Sequence, residues 1–206
     1  MFHWKLRSED NKDPGPKGNS NPPPKLTVES VDNHCYFYSE VNSDRGLALI
    51  KNLRELDTKL RNEHASRSLP EDHPLTPIWL HIESPGGNLF TAFSIAEQIK
   101  RLKTPVYSVV EGYTASAATI ISIACSKRFI LPSAFMLIHQ LSSFHWGKYE
   151  EFRDEMNLLD MAMETLVSFY VNNTKMKKTK VSELLKRDSW FNAKQSLDAG
   201  LVDKIL

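Results

Sequence analysis

The stretch GYTASAATIIS, residues 112–122, places a serine where small side chains lead into an apolar segment. It follows the β-branched run PVYSVVE, so Ser116 is expected at a junction between a strand and a helix. A hydroxyl at such a junction lies beside the free N–H groups of the first helical turn, as a nucleophile with an oxyanion hole requires. The same position also suits a helix N-cap or a small packing residue, and this stretch alone leaves both interpretations open.

Two further features would complete an acyl-transfer site. The paired glycines of SPGG, residues 84–87, follow another predicted strand and allow the backbone to approach a ligand closely. His139 ends the apolar run FMLIH, where its imidazole can act as a base. Among the other histidines, His81 is expected to pack or hydrogen-bond within a strand, and His145 is expected to lie on the surface. A nucleophile, N–H donors and a base from three separate junctions are the parts that acyl transfer needs.

The elements around these residues alternate between strands and helices. Predicted strands cover residues 34–41, 78–83, 105–111, 127–131 and 135–139, and predicted helices cover residues 44–60, 89–102 and 116–125. This order predicts an α/β domain of repeated β-α units, with a mostly parallel sheet flanked by helices. Residues 61–77 are polar and rich in turn formers, so they are predicted to form a long surface loop.

The C-terminal third is predicted to be more helical. Apolar residues recur at intervals of four and three from Phe152 to Tyr170, which indicates a long helix over residues 150–172 with an apolar seam. The apolar surface is wider than one seam, so this helix could project and pair with another subunit. Beyond it, NAKQSLDAGLVDKIL has the N-cap, capping partner and C-terminal glycine of a short helix before a final strand.

Composition argues against several classes of protein. The 206 residues are 41% hydrophobic with a net charge of +1, so the chain can bury one core and shows no basic surface for nucleic acid or an anionic membrane. No apolar run is long enough to predict a transmembrane helix. The basic run KMKKTK, residues 175–180, is expected to be a solvated loop.

The cysteines and the N-terminus give two further expectations. Cys35 and Cys125 lack the spacing of a metal site, so two buried free thiols in a reducing, cytoplasmic location are expected. Residues 8–25 are rich in proline, glycine, serine and charge, so residues 1–30 are expected to form a flexible arm ahead of a domain over residues 31–206.

Four motifs in this order, SPGG, TASAATIIS, LIHQLSS and RDSWFNAKQSLDAGLVDKIL, together resemble the proteolytic-subunit family of the Clp protease. The resemblance covers residues 35–206 and implies a crotonase-like ClpP fold. It also implies a serine endopeptidase that cleaves unfolded polypeptides through an acyl-enzyme. The site residues that it implies are the nucleophile Ser116, the general base His139, the orienting carboxylate Asp188, and the backbone N–H groups of Gly87 and Ala117 as the oxyanion hole.

The same resemblance implies an assembly and a partner. The assembly is a homo-oligomer of two stacked heptameric rings, and the helix over residues 150–172 resembles the handle that joins them. The partner is a hexameric AAA+ unfoldase that hydrolyses ATP, because this chain has no GxxxxGK[ST] motif of its own. No cofactor and no metal are expected within the chain.

The chain departs from the family pattern at three positions. Ala117 stands where the family usually has Met, although a backbone donor survives that change. Leu141 stands where proline is usual, which frees the backbone there. Lys186 precedes Arg187 where the family commonly has an Asp-Arg pair, which calls into question an ion pair between rings.

Alternatives remain open at this point. Asp198 and Asp203 are rival carboxylates, and Asp188 is preferred because it stands at the family's RD position. A catalytically silent ring subunit is a second hypothesis, against which the intact Ser116 and His139 argue. A crotonase-type acyl-CoA enzyme on the same fold is a third, and it would use carboxylates rather than a Ser-His pair.

Overall fold

The computed structural model describes residues 28–67 and 73–206, and in these ranges it contains eight strands and six helices. The strands are β1 Val28–Val31, β2 His34–Tyr38, β3 Ile78–Ser84, β4 Val106–Ala115, β5 Lys127–Ile130, β6 Phe135–Ile138, β7 Ser189–Asn192 and β8 Lys204–Ile205. The helices are α1 Ser43–Ser66, α2 Leu89–Arg101, α3 Ala117–Ile123, α4 Tyr149–Asn173, α5 Lys178–Leu184 and α6 Ala193–Ala199.

The strands form one sheet in the order β1-β2-β3-β4-β5-β8, with β6 paired to β4 and β7 paired to β6. All pairs are parallel except β1 with β2 and β6 with β7. The predicted α/β architecture with a mostly parallel sheet is therefore confirmed.

The core lies between the sheet and the helices. In β3 the alternate side chains Ile78, Leu80 and Ile82 are fully buried, as the period of a strand with one covered face requires. Helix α1 buries Leu49 and Leu53, which recur at helical spacing on its inward face. Cys35 and Cys125 are buried free thiols, as predicted.

Strand β4 changes its partner halfway along, and this bend creates the site. Its first half pairs with β5, and its second half pairs with β6. The pairing with β3 skips from Ile82–Val110 to Ser84–Thr114, so β4 carries two extra residues in an irregularity around Gly112. The bend brings the C-terminal ends of β4 and β6 side by side.

Helix α4 confirms the long predicted helix, but its apolar seam is divided along its length. The buried residues Ala162, Leu166, Val167 and Tyr170 all lie in its C-terminal half. Apolar side chains of the N-terminal half, including Phe152 and Met156, are largely exposed within this single chain. The first part of α4 therefore presents an uncovered apolar surface.

Two local predictions are wrong, and one strand was not predicted. The predicted loop over residues 61–77 begins too early, because α1 continues to Ser66 with polar residues on its exposed face. Strand β7, Ser189–Asn192, has no counterpart among the predicted elements. The basic run 175–180 is not wholly a loop, because α5 begins at Lys178 and buries Val181.

The predicted N-terminal arm lies mostly outside the described residues. Its last positions, 28–30, belong to β1, so the folded domain begins before the predicted boundary at residue 31. None of the helices in the described ranges is both long and apolar enough to cross a membrane.

Candidate active site

Ser116 occupies the sharp turn between β4 and α3. Its backbone has φ 55° and ψ −129°, a conformation that residues other than glycine rarely adopt. Its N–H donates to the Leu137 carbonyl at 2.8 Å, and its own carbonyl accepts from the Thr119 N–H at 3.0 Å. The Ser116 hydroxyl makes no capping hydrogen bond, so the N-cap interpretation is not realised.

His139 reaches this hydroxyl from the neighbouring strand. Parallel pairing sets Ala115 of β4 opposite Leu137 of β6, so the residues that follow both strands emerge at the same edge of the sheet. The His139 Nε2 atom lies 2.7 Å from the Ser116 Oγ atom, which is a hydrogen bond. The structure thus brings the predicted nucleophile and base together.

The antiparallel pairing of β7 with β6 places Asp188 near His139. This pairing sets Ser189 opposite Ile138, and one step further along the register Asp188 faces His139. The Asp188 Oδ1 atom is 3.7 Å from His139 Nδ1, too long for a hydrogen bond but close enough for an ion pair with an imidazolium. The Asp188 side chain is 74% exposed, against 25% for His139, so water screens this interaction.

The two glycines of SPGG follow β3 and approach the nucleophile closely. Gly86 has φ +90°, and a Cβ atom there would lie 2.6 Å from the Ala115 carbonyl oxygen and 2.7 Å from the Ser116 Cβ. Gly87 has φ +140°, and a Cβ atom there would lie 2.3 Å from the Val41 carbonyl oxygen. Only glycine therefore fits at both positions, for reasons of space and of backbone conformation.

Thr119 and Tyr170, which the sequence did not indicate, stabilise the nucleophile turn by hydrogen bonds. The Thr119 hydroxyl is 2.6 Å from the Ser116 carbonyl oxygen and 2.6 Å from the Tyr170 hydroxyl. Because a carbonyl can only accept, Thr119 donates to Ser116, and Tyr170 must donate to Thr119. Burial raises the pKa of Tyr170 well above its ordinary value, which keeps this phenol a donor. Helix α4 is thus connected to the backbone of the nucleophile turn.

Ser116 and His139 open into a cavity of about 230 Å³. Its lining includes Gly87, Ala117, the segment 140–143 that follows His139, and residues of α4. Gly87 and Ala117, the predicted oxyanion donors, therefore line the same cavity as the nucleophile. In the described residues, no cluster of three or more His, Cys, Asp or Glu side chains is placed to hold a metal ion.

The rival histidines lie elsewhere. His81 packs within the sheet, where its Nε2 is 2.8 Å from His34 Nδ1 and its Nδ1 is 2.8 Å from Glu111 Oε1. The hydrogen-bonding role predicted for His81 is confirmed. His145 is half-buried between exposed neighbours, with its ring edge-on to Phe152 at 5.0 Å, and it does not line the cavity.

The rival carboxylates are also accounted for. Asp203 is bound by Arg128 through its guanidinium, with an Nη2–Oδ1 distance of 2.6 Å, and through the Arg128 backbone N–H. Burial favours the neutral acid, but the hydrogen bonds and charge of Arg128 prevail and lower the pKa of Asp203. Asp198 lies exposed on α6. Among the ion pairs of the described residues, His139 pairs with Asp188 and with neither of these two carboxylates.

The chemistry available to this arrangement is acyl transfer. A serine hydroxyl bonded to a neutral imidazole can lose its proton as it attacks a carbonyl carbon, and a nearby carboxylate favours the imidazolium that results. Backbone N–H groups at the start of a helix can donate hydrogen bonds to the developing oxyanion. The fold and the Ser-His pair therefore point to a class of α/β hydrolytic proteins with a serine nucleophile.

Comparison with known proteins identifies the family within this class. Residues 33–206 match the family model described as Clp protease. A curated relative, ATP-dependent Clp protease proteolytic subunit 2 of Treponema denticola, is 37% identical over 131 residues, which are 63% of this chain and 66% of the relative. The aligned segment thus spans just under two thirds of that relative's length. Proteolytic subunit 1 of Chlamydia caviae is 28% identical over 181 residues, which are 85% of this chain and 88% of that protein.

A solved structure agrees with the fold. A ClpP1 mutant from Listeria monocytogenes superposes with a TM-score of 0.71 at 25% identity, over 85% of this chain and 91% of that one. The predicted ClpP fold is therefore confirmed, and the chain belongs to the Clp protease family.

Proposed function

We propose that this chain is the serine endopeptidase subunit of an ATP-dependent Clp-type protease and cleaves unfolded polypeptides. The observation that carries the proposal is the 2.7 Å hydrogen bond from Ser116 Oγ to His139 Nε2, in a cavity large enough for a side chain of a bound peptide. The Ser-His pair argues against a silent ring subunit, and also against an acyl-CoA enzyme that works through carboxylates.

The proposed reaction follows from the geometry. His139 takes the proton of Ser116 as the oxygen attacks a peptide carbonyl, and it later gives a proton to the leaving amine. Asp188 stabilises the imidazolium by its charge. The N–H groups of Gly87 and Ala117 receive the oxyanion, each worth about 3 to 4 kcal/mol in comparable enzymes. Water then attacks the acyl-enzyme, and His139 serves as base a second time.

The assembly and the partner are part of the proposal. Tyr149, Phe152, Met156 and Met161 are exposed apolar residues on α4, and a monomer gains nothing by leaving such a surface in water. We infer that this surface pairs with a second copy in a barrel of two heptameric rings. A hexameric AAA+ unfoldase would hydrolyse ATP and feed unfolded chain into the barrel. The setting would be the cytoplasm, where the buried thiols Cys35 and Cys125 stay reduced.

Hydrolysis of short fluorogenic peptides tests the proposal. Ser116→Ala should reduce hydrolysis to background because it removes the nucleophilic oxygen. Ser142→Ala is the matched control, since Ser142 is another serine that lines the same cavity. Full loss in the control, with activity kept in Ser116→Ala, would assign the nucleophile to a different residue and contradict the proposal.

A further inference from the structure

Along α4 the cavity beside Ser116 is lined by four aliphatic residues, by Glu155, and by Tyr170, whose hydroxyl is hydrogen-bonded to Thr119. The four aliphatic residues, Leu158, Leu159, Ala162 and Leu166, form an apolar wall. Glu155 stands at the end of this wall, one helical turn before Leu158 and Leu159. Among the described residues that line the cavity, no aspartate, lysine or arginine accompanies this carboxylate. The cavity therefore combines an apolar wall with a single acidic group.

The contacts of Glu155 leave it able to bind another donor. The Ser143 hydroxyl donates to Glu155 Oε1 at 2.7 Å, which holds the carboxylate against the segment that follows His139. None of the ion pairs between described residues involves Glu155. A carboxylate accepts about four hydrogen bonds through its two oxygens, so acceptor capacity remains. Glu155 is thus a half-buried carboxylate held by Ser143, and it has no cationic partner within residues 28–67 and 73–206.

A basic side chain matches this combination. Lysine and arginine carry an apolar stem and a charged end, so the stem can lie on Leu158 and Leu159 while the charge reaches Glu155. An apolar side chain that filled the cavity would remove water from Glu155 without replacing its hydrogen bonds. An acidic side chain would be repelled. The expected order of preference is basic, then neutral, then acidic.

We propose that Glu155 is a specificity-determining residue that makes this cavity select lysine or arginine at one substrate position near the scissile bond. The inference rests on the proposed peptidase function and narrows its substrate class. Besides the pairing with a second copy proposed above, α4 would then contribute its C-terminal half to the core and its middle part to substrate recognition.

The test is a set of fluorogenic peptides in which each position near the cleaved bond is varied in turn, with the full chain as enzyme. The wild-type chain should favour lysine or arginine over leucine and glutamine by about tenfold in kcat/KM at one position, the effect of one charge-assisted hydrogen bond in a partly hydrated site. Glu155→Gln should abolish that ratio. Glu155→Lys should invert it toward aspartate and glutamate.

Two controls make the result specific. Asp154→Asn removes the same charge from the neighbouring residue, which does not line the cavity, so the ratio should not change. Lysine compared with acetyl-lysine at the selected position tests the charge with the wild-type chain alone. Acetylation should cost about tenfold, and this arm needs no variant to fold.

The outcomes separate the two proposals. If a fluorophosphonate probe does not label Ser116, the proposed function fails. If Ser116 is labelled but no position prefers a basic residue, only the inference about Glu155 is overturned. A basic preference that survives in Glu155→Gln also overturns it, as does equal cleavage of lysine and acetyl-lysine peptides.

Discussion

Replacing Asp188 with Asn removes the negative charge beside His139 and preserves the shape of the side chain. The distance from Asp188 Oδ1 to His139 Nδ1 is 3.7 Å, and the carboxylate is 74% exposed. At 3.7 Å two unit charges in a water-like dielectric attract by about 1 kcal/mol. Since about 1.4 kcal/mol corresponds to tenfold, Asp188→Asn should lower kcat/KM by roughly five- to tenfold.

This expectation differs sharply from that for a buried catalytic aspartate. Where the carboxylate is buried and hydrogen-bonded to the imidazole, the same substitution costs about 10⁴-fold because it also favours the wrong tautomer. Here no hydrogen bond from His139 Nδ1 to Asp188 fixes the tautomer. The contribution should therefore be electrostatic, and it should shrink as salt is added.

The assay is peptide hydrolysis at low and at high salt. Asp198→Asn is the matched control, because it removes an exposed carboxylate that forms no ion pair with His139 among the described residues. A thousandfold loss in Asp188→Asn would refute the reasoning, since it would require a direct hydrogen bond to the imidazole. An unchanged rate would show that Asp188 has no part in the reaction.

Three other predictions concern the hydrogen bond beneath the nucleophile turn, the Arg128–Asp203 ion pair and the assembly. Tyr170→Phe removes the donor to Thr119 and should lower the free energy of unfolding, measured by urea denaturation, by about 1 kcal/mol. Phe169→Leu is the packing control. An unchanged free energy in Tyr170→Phe would show that the hydrogen bond contributes nothing to stability. Asp203→Asn should cost about 1 kcal/mol at neutral pH, because Asp203 is partly exposed. The lowered pKa confines that stabilisation to pH values above it, so the difference from wild type should disappear as the pH falls below the ordinary value of 3.8, and a constant difference in urea titrations would contradict this. Met156→Glu should give smaller, folded species in sedimentation, because Met156 is 56% exposed and a charge buried in a subunit contact costs several kcal/mol; an unchanged assembly would place the contact elsewhere.

Much of the fold was predictable because its signals are local. The alternation of Ile78, Leu80 and Ile82 predicts β3, and the spacing of Asn192, Gln195 and Gly200 predicts α6 with its caps. Each of these signals depends on residues within one element. The mostly parallel order of the sheet then follows from the alternation of strands and helices.

The geometry of the site was less accessible because it depends on pairing between distant segments. Strand β7 has only four residues and half-exposed side chains, so its own sequence gives a weak strand signal. Its pairing with β6 brings Asp188 opposite His139, and no local pattern encodes that register. The family resemblance identified Asp188 as a candidate, but its exposure could be seen only in the folded chain.

The role of α4 shows a similar limit. The heptad-like spacing from Phe152 to Tyr170 predicts a helix with an apolar seam, and it does not say which part of the seam is buried. In the structure the division falls between the two halves of the helix, because only the C-terminal half packs beneath the nucleophile turn. The sequence also contains no signal for the hydrogen bond between Thr119 and Tyr170, because these residues are 51 positions apart and meet only when α4 packs against the turn.

Labelling with a fluorophosphonate probe, followed by peptide mapping, tests the central claim most directly. The account predicts one modified residue, Ser116, because among the hydroxyls of the described residues this is the one hydrogen-bonded to the His139 imidazole. Labelling should disappear in His139→Ala and persist in His145→Ala. Modification of a different serine, or of Ser116 at an undiminished rate without His139, would contradict the claim that the Ser116–His139 pair is the reactive centre.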